Sequence, residues 1–183
     1  MTTENQNLCR STEKGLLINL CGNGKGKSSS AFGMMIRTLG WGGRVGILQF
    51  VKSPSFETGE MLFFKQLGVE RVLFEATGMG CFADQAEQKK LAQKALVRME
   101  ELLAEEDLDL LILDELNIAV HLDLISVEQV LAALNKRNPA LNVCITGRYA
   151  KPEILSICDL ISEVNEVAHP CRKGVPARKG IDY

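Results

Sequence analysis

Residues 22–29 read Gly22-Asn23-Gly24-Lys25-Gly26-Lys27-Ser28-Ser29, and an apolar run at residues 15–21 comes directly before them. After them, four apolar residues recur at helical spacing, namely Phe32, Met35, Ile36 and Leu39. A strand, a glycine-rich turn and a helix in this order form a phosphate-binding loop, in which backbone N–H groups and the positive end of the helix dipole face anionic oxygens. Lys27 and Ser28 would supply an ammonium group and a hydroxyl that faces a metal ion. The stretch therefore predicts a site for a phosphorylated ligand.

The loop departs from the common G-x-x-x-x-G-K-[ST] pattern. Counted back from Gly26, the position of the first glycine is held by Cys21, and counted forward from Gly22 the loop is one residue short. An ordinary glycine-rich turn is the alternative interpretation. The flanking strand and helix, together with a carboxylate pair further along the chain, favour the phosphate site.

Short apolar runs alternate with helical patterns along the rest of the chain. We predict strands at residues 15–21, 44–50, 70–74, 108–115, 141–146 and 159–164. We predict helices at residues 28–39, 57–67, 84–104 and 126–135, with a further short helix beginning at Pro152. Strands that alternate with helices form a parallel sheet joined by right-handed crossovers and covered on both faces. The sequence therefore predicts an α/β fold with a six-stranded, mainly parallel sheet and helices on both faces.

Two of the predicted helices begin with a capping-box pattern. In this pattern the first side chain and the one three residues later each bond to the backbone N–H of the other residue. The pairs are Asp84 with Glu87 and Ser126 with Gln129. They predict helix starts at residues 84 and 126.

The aliphatic strand at residues 108–115 ends in two carboxylates, Asp114 and Glu115. Ligands of parallel sheets bind at the carboxyl ends of the strands, so these carboxylates are expected near the glycine loop. Carboxylate oxygens hold Mg²⁺ beside phosphates, either directly or through water. The alternative role for this pair is to cap the following helix.

Two arginines are candidate phosphate contacts. Arg148 directly follows the fifth predicted strand, at the edge where ligands bind. Arg37 lies in the helix after the glycine loop, on a side different from its apolar residues, and a solvated helix face is an equally good interpretation. We predict packing or surface roles for His121 and His169, because neither has a nucleophile or carboxylate at a catalytic spacing.

The composition is that of one globular domain. Of the 183 residues, 46% are apolar and 24% are charged, which is enough to bury a sizeable core. We predict a polar tail at residues 1–14 and a single domain at residues 15–183. A net charge of −2 and a pI near 5.8 argue against the broad basic face that nucleic-acid binding needs. No run approaches the roughly 20 apolar residues that cross a bilayer, and no signal-peptide core is present, so we expect a cytoplasmic protein without membrane attachment.

The six cysteines are scattered along the chain without a C-x-x-C pair. This spacing argues against a zinc site and against a disulfide framework. We expect reduced thiols, most of which pack as small apolar side chains in the core.

Five stretches of the chain resemble the P-loop ATP:corrinoid adenosyltransferases. They are GNGKGKSSSAFGMMIR at 22–37, VGILQFVK at 45–52, LILDEL at 111–116, ITGR at 145–148 and GVPARKGIDY at 174–183. The resemblance covers residues 15–183, and its most specific parts are the shortened glycine loop and the closing GIDY, which general P-loop NTPases do not share. It implies a RecA-like P-loop fold.

The resemblance also implies a reaction. The family transfers the 5′-deoxyadenosyl group of ATP to cobalt(I) of a reduced corrinoid and releases triphosphate, in adenosylcobalamin synthesis or salvage. Because cobalt(I) is itself a strong nucleophile, no general base is needed. The implied cofactor is Mg²⁺, with Mn²⁺ as a substitute. The implied partners are a flavoprotein reductase or flavodoxin and a second copy of the chain, whose active site the tail at residues 1–14 could cover.

The same resemblance assigns the binding residues. ATP is bound by the glycine loop and two arginines, namely Gly22, Asn23, Gly24, Lys25, Gly26, Lys27, Ser28, Ser29, Arg37 and Arg148. The catalytic roles fall on Lys27, Arg37 and Glu115. Mg²⁺ is assigned to Ser28, Asp114 and Glu115.

The loop after the third strand departs from the family pattern. Members usually carry a Phe and a Trp there, where the corrinoid approaches, whereas residues 77–82 of this chain read Thr-Gly-Met-Gly-Cys-Phe and the only tryptophan is Trp41. Apolar bulk near cobalt helps to displace the lower ligand of the metal before reduction. Met79 and Phe82 are the candidates for that bulk, and burial as loop anchors is their alternative role.

Two other functions fit the glycine loop and the carboxylates. A conventional P-loop ATPase or small-molecule kinase would direct attack at the terminal phosphate and yield ADP. A non-catalytic ATP-binding or corrinoid-binding module would account for the altered loop at residues 77–82. The shortened loop and the GIDY tail favour the transferase over the first alternative, and the intact Lys27, Ser28 and carboxylate pair favour it over the second.

Overall fold

A computed structural model of the chain describes residues 14–53, 55, 57–68, 70–78 and 84–183. Within this part, six strands form one sheet, namely β1 Leu17–Cys21, β2 Val45–Gln49, β3 Val72–Ala76, β4 Leu110–Asp114, β5 Asn142–Thr146 and β6 Leu160–Glu163. The strand order is β3-β2-β4-β5-β1-β6, and every neighbouring pair is parallel. The predicted six-stranded parallel α/β fold is confirmed.

In the described part of the chain, six α-helices connect or follow the strands, namely α1 Lys27–Gly40, α2 Gly59–Leu67, α3 Gln85–Ala104, α4 Leu116–His121, α5 Val127–Asn135 and α6 Pro152–Leu155. A 3₁₀ helix covers Pro170–Lys173. The helix α4 was not predicted, because its six residues begin immediately after β4 and are too few to show a helical period. The strand β3 begins two residues later than predicted.

One of the two predicted capping boxes forms. The Ser126 hydroxyl accepts a hydrogen bond of 3.2 Å from the Gln129 N–H, and the Gln129 side chain accepts one of 3.0 Å from the Ser126 N–H. The Asp84 capping box does not form, because the exposed Asp84 side chain makes no capping hydrogen bond to α3, although α3 begins directly after Asp84 as predicted. The capping-box sequence supplies side chains that can make these hydrogen bonds, but an exposed carboxylate such as that of Asp84 can bind water instead.

The sheet is covered on both faces, as predicted. Along β4, Leu111 and Leu113 pack into a core on the side of α3 and α5, whereas Leu110 and Ile112 pack into a second core with α1 and α2. This alternation follows from the two-residue period of a strand. Each fully buried aliphatic side chain contributes about 1.5–3 kcal/mol, so the two cores stabilise the central strands of the sheet.

The described cysteines fit the predicted thiols. Four of them are free, and of these Cys21 and Cys144 are buried as expected, whereas Cys158 is partly buried and Cys171 is exposed. Burial raises the pKa of Cys144 to about 12, so this thiol stays protonated and packs as an apolar group.

Candidate functional site

The glycine loop follows β1 and leads directly into α1. Gly22 has a φ of +95°, and a Cβ atom built there would lie 2.5 Å from the carbonyl oxygen of Val164, in the segment after β6. The Gly24 N–H donates a 2.6 Å hydrogen bond to that same carbonyl oxygen. Only glycine tolerates both the left-handed backbone and this close approach. The loop is therefore anchored against the far edge of the sheet.

Lys27 is the first residue of α1, and its side chain is buried beneath the loop. Its Nζ donates a 2.7 Å hydrogen bond to the carbonyl oxygen of Gly24. Burial lowers the pKa of Lys27, Glu115 opposes this effect, and Arg148 adds to it. An anionic ligand would stabilise the charged ammonium group, which retains two further N–H donors.

Asp114 ends β4 and is completely buried. One of its oxygens, Oδ1, accepts hydrogen bonds of 2.7 Å from Ser28 Oγ and from Thr146 Oγ1. The other, Oδ2, accepts a 2.7 Å hydrogen bond from Gln49 Nε2 and lies 3.4 Å from Lys52 Nζ. These partners come from α1, β2, β5 and the segment after β2. Asp114 thus fixes the Ser28 hydroxyl and joins four parts of the chain at the carboxyl edge of the sheet.

Glu115 follows in the left-handed conformation, with a φ of +62°. Its N–H donates a 3.0 Å hydrogen bond to Thr146 Oγ1, which holds this unusual backbone in place. Although Glu115 occupies the position before α4, its side chain does not cap the helix, so the helix-cap alternative is not observed. Burial and then Asp114 raise the pKa of Glu115, whereas Lys27 and Lys52 lower it. No described residue donates a hydrogen bond to this carboxylate, which is free to take a ligand.

These groups line a cavity of about 620 Å³ at the carboxyl edge of the sheet. Its charged and polar lining includes Lys27, Ser28, Glu115 and Arg148, and α1 and α2 add the apolar side chains Phe32, Met35, Ile36, Phe63 and Phe64. The cavity can therefore accommodate a ligand with a highly charged end and a less polar remainder.

The C-terminal segment forms another wall of the same cavity. Residues 180–183, which carry the GIDY sequence, line it together with His169. Asp182 forms an ion pair with Lys25 of the glycine loop, and this contact lowers the pKa of Asp182. The Arg178 N–H donates a 2.7 Å hydrogen bond to Asp182 Oδ2. The tail is thereby attached to the loop.

The structure brings most of the predicted residues together. The predicted residues that line the cavity are Gly24, Lys25, Gly26, Lys27, Ser28, Ser29, Glu115 and Arg148. Asp114 lies buried behind Ser28, and Gly22 and Asn23 lie at the start of the loop, outside the lining. Arg37 is exposed on α1 and does not line the cavity. Met79 and Phe82 lie outside the described residues.

Four residues of the site were not assigned a role from the sequence, namely Gln49, Lys52, Thr146 and Asp182, although the carboxyl-edge rule places residues 49–52 beside the glycine loop. All four fall within stretches that carry the family resemblance, which was the signal available for them. Gln49 is a polar residue at the end of an otherwise apolar strand. Such a residue at the carboxyl end of a buried strand is itself an indication of a site.

The oxygen atoms at this edge fit a magnesium ion. Ser28 supplies a hydroxyl that the buried Asp114 holds in place, and Glu115, the next residue in the chain, supplies a carboxylate that lines the cavity. The described residues contain no cluster of three or more His, Cys, Asp or Glu side chains that could hold a metal ion by themselves. Mg²⁺ in nucleotide sites is held by one or two carboxylates, with water and substrate phosphates completing its shell. The donor set therefore suits a metal that arrives with a triphosphate.

Comparisons with known proteins identify the family of this chain. Residues 13–183 match the model of the family described as ATP:corrinoid adenosyltransferase BtuR/CobO/CobP. The corrinoid adenosyltransferase of Pseudomonas aeruginosa is 38% identical over 93% of this chain and 85% of its own length. Those of Escherichia coli K12 and Salmonella typhimurium are each 38% identical over 93% of this chain and 87% of their own lengths.

A solved structure supports the fold alone. The flagellar accessory protein FlaH from Methanocaldococcus jannaschii superimposes with a TM-score of 0.55 at 12% identity, over 89% of this chain and 77% of that one. The relatives and the family model, in contrast, span nearly the whole chain at substantial identity. This chain therefore belongs to the ATP:corrinoid adenosyltransferase family.

Proposed function

We propose that this chain transfers the 5′-deoxyadenosyl group of ATP to cobalt(I) of a reduced corrinoid and releases triphosphate. The observation that carries the proposal is the cavity whose lining combines Lys27, Ser28 and Arg148 with apolar side chains of α1 and α2. The charged residues suit a triphosphate, and the apolar side chains suit the less polar remainder of the substrates. Family membership supplies the reaction class.

The proposed reaction forms a bond between cobalt and the ribose 5′-carbon and breaks the bond between that carbon and the triphosphate oxygen. The electron pair of the broken bond stays on the triphosphate, so negative charge grows at the leaving oxygen. Lys27, Arg148 and the N–H groups of the glycine loop are positioned to stabilise this charge. Cobalt(I) brings its own electron pair and no proton, so the chain has only to align the two substrates.

We propose that Ser28, Asp114 and Glu115 hold Mg²⁺, or Mn²⁺ in its place. The bound ion would neutralise part of the triphosphate charge. In this arrangement the buried Asp114 orients the Ser28 hydroxyl through their 2.7 Å hydrogen bond, and Glu115 presents the accessible carboxylate. Arg37 remains a proposed phosphate contact that rests on the family resemblance.

A product assay tests the proposed reaction. The protein is incubated with Mg-ATP and chemically reduced cobalamin or cobinamide, and both products are identified. We expect a light-sensitive alkylcobalt spectrum together with triphosphate in equal amounts. ADP without alkylcobalt would instead identify an ATPase or kinase, and saturable ATP binding without either product would identify a non-catalytic module.

We propose that Met79 and Phe82 supply apolar bulk near the corrinoid. Replacing Phe82 with alanine is then expected to lower kcat/KM for the corrinoid by about tenfold, which corresponds to the loss of one apolar contact, while the Kd of ATP stays unchanged. Steady-state kinetics with varied corrinoid and a separate ATP titration provide the two measurements. An unchanged kcat/KM for the corrinoid would contradict the role of Phe82.

We further propose a cytoplasmic homodimer that receives electrons from a flavoprotein reductase or flavodoxin, with the tail at residues 1–14 covering the partner's active site. These points rest on the family resemblance of the sequence. Among the helices of the described residues, none has the length and apolar character needed to cross a bilayer.

A further inference from the structure

The short helix α4 holds the turn that follows β5 at two points. Asn117 and His121 are four residues apart and so lie on one face of the helix. The Asn117 side chain is buried, and its Nδ2 donates a 3.2 Å hydrogen bond to the carbonyl oxygen of Gly147. The His121 ring stacks on the ring of Tyr149, with ring centroids 4.2 Å apart and an interplanar angle of 29°. The helix therefore contacts both ends of residues 147–149.

Both ends of this turn have unusual backbone conformations. Gly147 has a φ of +129°, and a Cβ atom there would lie 2.9 Å from Cβ of Asn117. Tyr149 has a φ of +59°, in the left-handed region that residues with a Cβ atom rarely occupy. Its side chain is 53% exposed, so burial contributes little to holding it. Among the described residues, the His121 ring contacts the Tyr149 ring and can oppose the strain at this backbone.

Arg148 lies between these two positions. Its side chain lines the same cavity as Lys27 and Glu115. Because the backbone at 147 and 149 sets the direction from which Arg148 leaves the turn, the position of its guanidinium group depends on both contacts from α4. If the Tyr149 backbone left the left-handed conformation, the Arg148 side chain would point away from the cavity for part of the time.

We propose that His121 and Tyr149 are positioning residues, whose stacked rings keep the Tyr149 backbone left-handed and thereby keep Arg148 directed at the triphosphate. This inference rests on the proposed binding of ATP in the cavity. It gives His121 a role that its sequence neighbourhood did not suggest, and it identifies Tyr149, which carries no sequence signal.

Alanine and glycine at residue 149 separate this inference from a direct contact of the tyrosine ring. Tyr149→Ala removes the stack but keeps the strain of a Cβ atom, whereas Tyr149→Gly removes both, because glycine adopts positive φ freely. We expect Tyr149→Ala and His121→Ala to raise the Kd of ATP about fivefold. Without the ring stack, about 1 kcal/mol of backbone strain at residue 149 is no longer opposed, so the turn leaves the left-handed conformation part of the time. Tyr149→Gly is expected to bind ATP like the wild type. His121→Phe, which preserves a flat ring, is expected to do the same.

The measurement is a calorimetric titration of each variant with Mg-ATP, and Arg148→Ala is the reference, with an expected loss of about tenfold or more. If the rings act through Arg148, adding Tyr149→Ala to Arg148→Ala weakens binding no further. Equal losses in Tyr149→Gly and Tyr149→Ala would overturn the inference, as would wild-type affinity in His121→Ala alongside a weakened Arg148→Ala. Absence of ATP binding by the wild type would contradict the proposed function itself, and the inference with it.

Discussion

Replacing Lys27 with alanine is expected to lower kcat/KM for ATP by about two to three orders of magnitude. The Lys27 ammonium lies beneath the glycine loop, where it donates to Gly24 and has two N–H donors left for the triphosphate. Because negative charge grows on the leaving oxygen during the reaction, this cation stabilises the transition state more strongly than it stabilises bound ATP. We therefore expect most of the loss in kcat. Initial rates of alkylcobalt formation at varied ATP concentration provide the measurement.

The fold is expected to survive this change. Burial lowers the pKa of Lys27, which means that the native state disfavours the charged form, so alanine removes an unfavourable burial along with one hydrogen bond. The melting temperature should stay within about 4 °C of the wild-type value. Lys94→Ala, on an exposed part of α3, is the matched control and should have wild-type rates. Near-normal turnover by Lys27→Ala would show that the loop does not bind the triphosphate.

Replacing Glu115 with glutamine is expected to have opposite effects on stability and on activity. Burial and Asp114 raise the pKa of Glu115, so the ionised carboxylate destabilises the metal-free native state relative to the unfolded chain. Glutamine removes that charge and should raise the melting temperature of metal-free protein by about 2–4 °C near neutral pH. The same charge is what we propose to attract Mg²⁺, so kcat should fall by about a hundredfold.

The pH dependence of this stability gain has a defined sign. A carboxyl group with a raised native pKa binds its proton more tightly in the folded state, so the wild type loses stability as pH rises from the ordinary pKa through the raised one. The gain in Glu115→Gln is therefore fully present above the raised pKa and vanishes below the ordinary pKa of about 4.3.

Calorimetry in a chelator at several pH values measures the effect, with Glu153→Gln on the surface of α6 as the control. An equal gain at acidic and neutral pH would contradict the assigned cause. Unchanged activity would contradict the metal role of Glu115.

Much of the site was predictable because its signals are local. The glycines, Lys27 and Ser28 lie within one loop, and Asp114 and Glu115 are neighbours at the end of one strand. The rule that ligands bind at the carboxyl edge of a parallel sheet placed the two groups together. Their hydrogen bond, from Ser28 Oγ to Asp114 Oδ1, joins residues that are 86 positions apart.

The remaining contacts depend on strand order, which local patterns do not specify. Gln49 reaches Asp114 because β2 lies directly beside β4, and Thr146 reaches it because β5 lies on the other side. The ion pair of Lys25 with Asp182 depends on the path of the chain after β6. The helix α4 escaped prediction because six residues show no period, and it is this helix that stacks His121 on Tyr149.

The sequence by itself determined the alternation of strands and helices, the phosphate loop and the carboxylates, since hydrophobic period and glycine content act within a few residues of each other. The tertiary structure alone decided which side chains complete the site around Asp114, how the tail attaches to Lys25, and how Arg148 is held. Those contacts join residues brought together by crossovers and sheet register. Their energies depend on distances and burial that exist only after the two cores have formed.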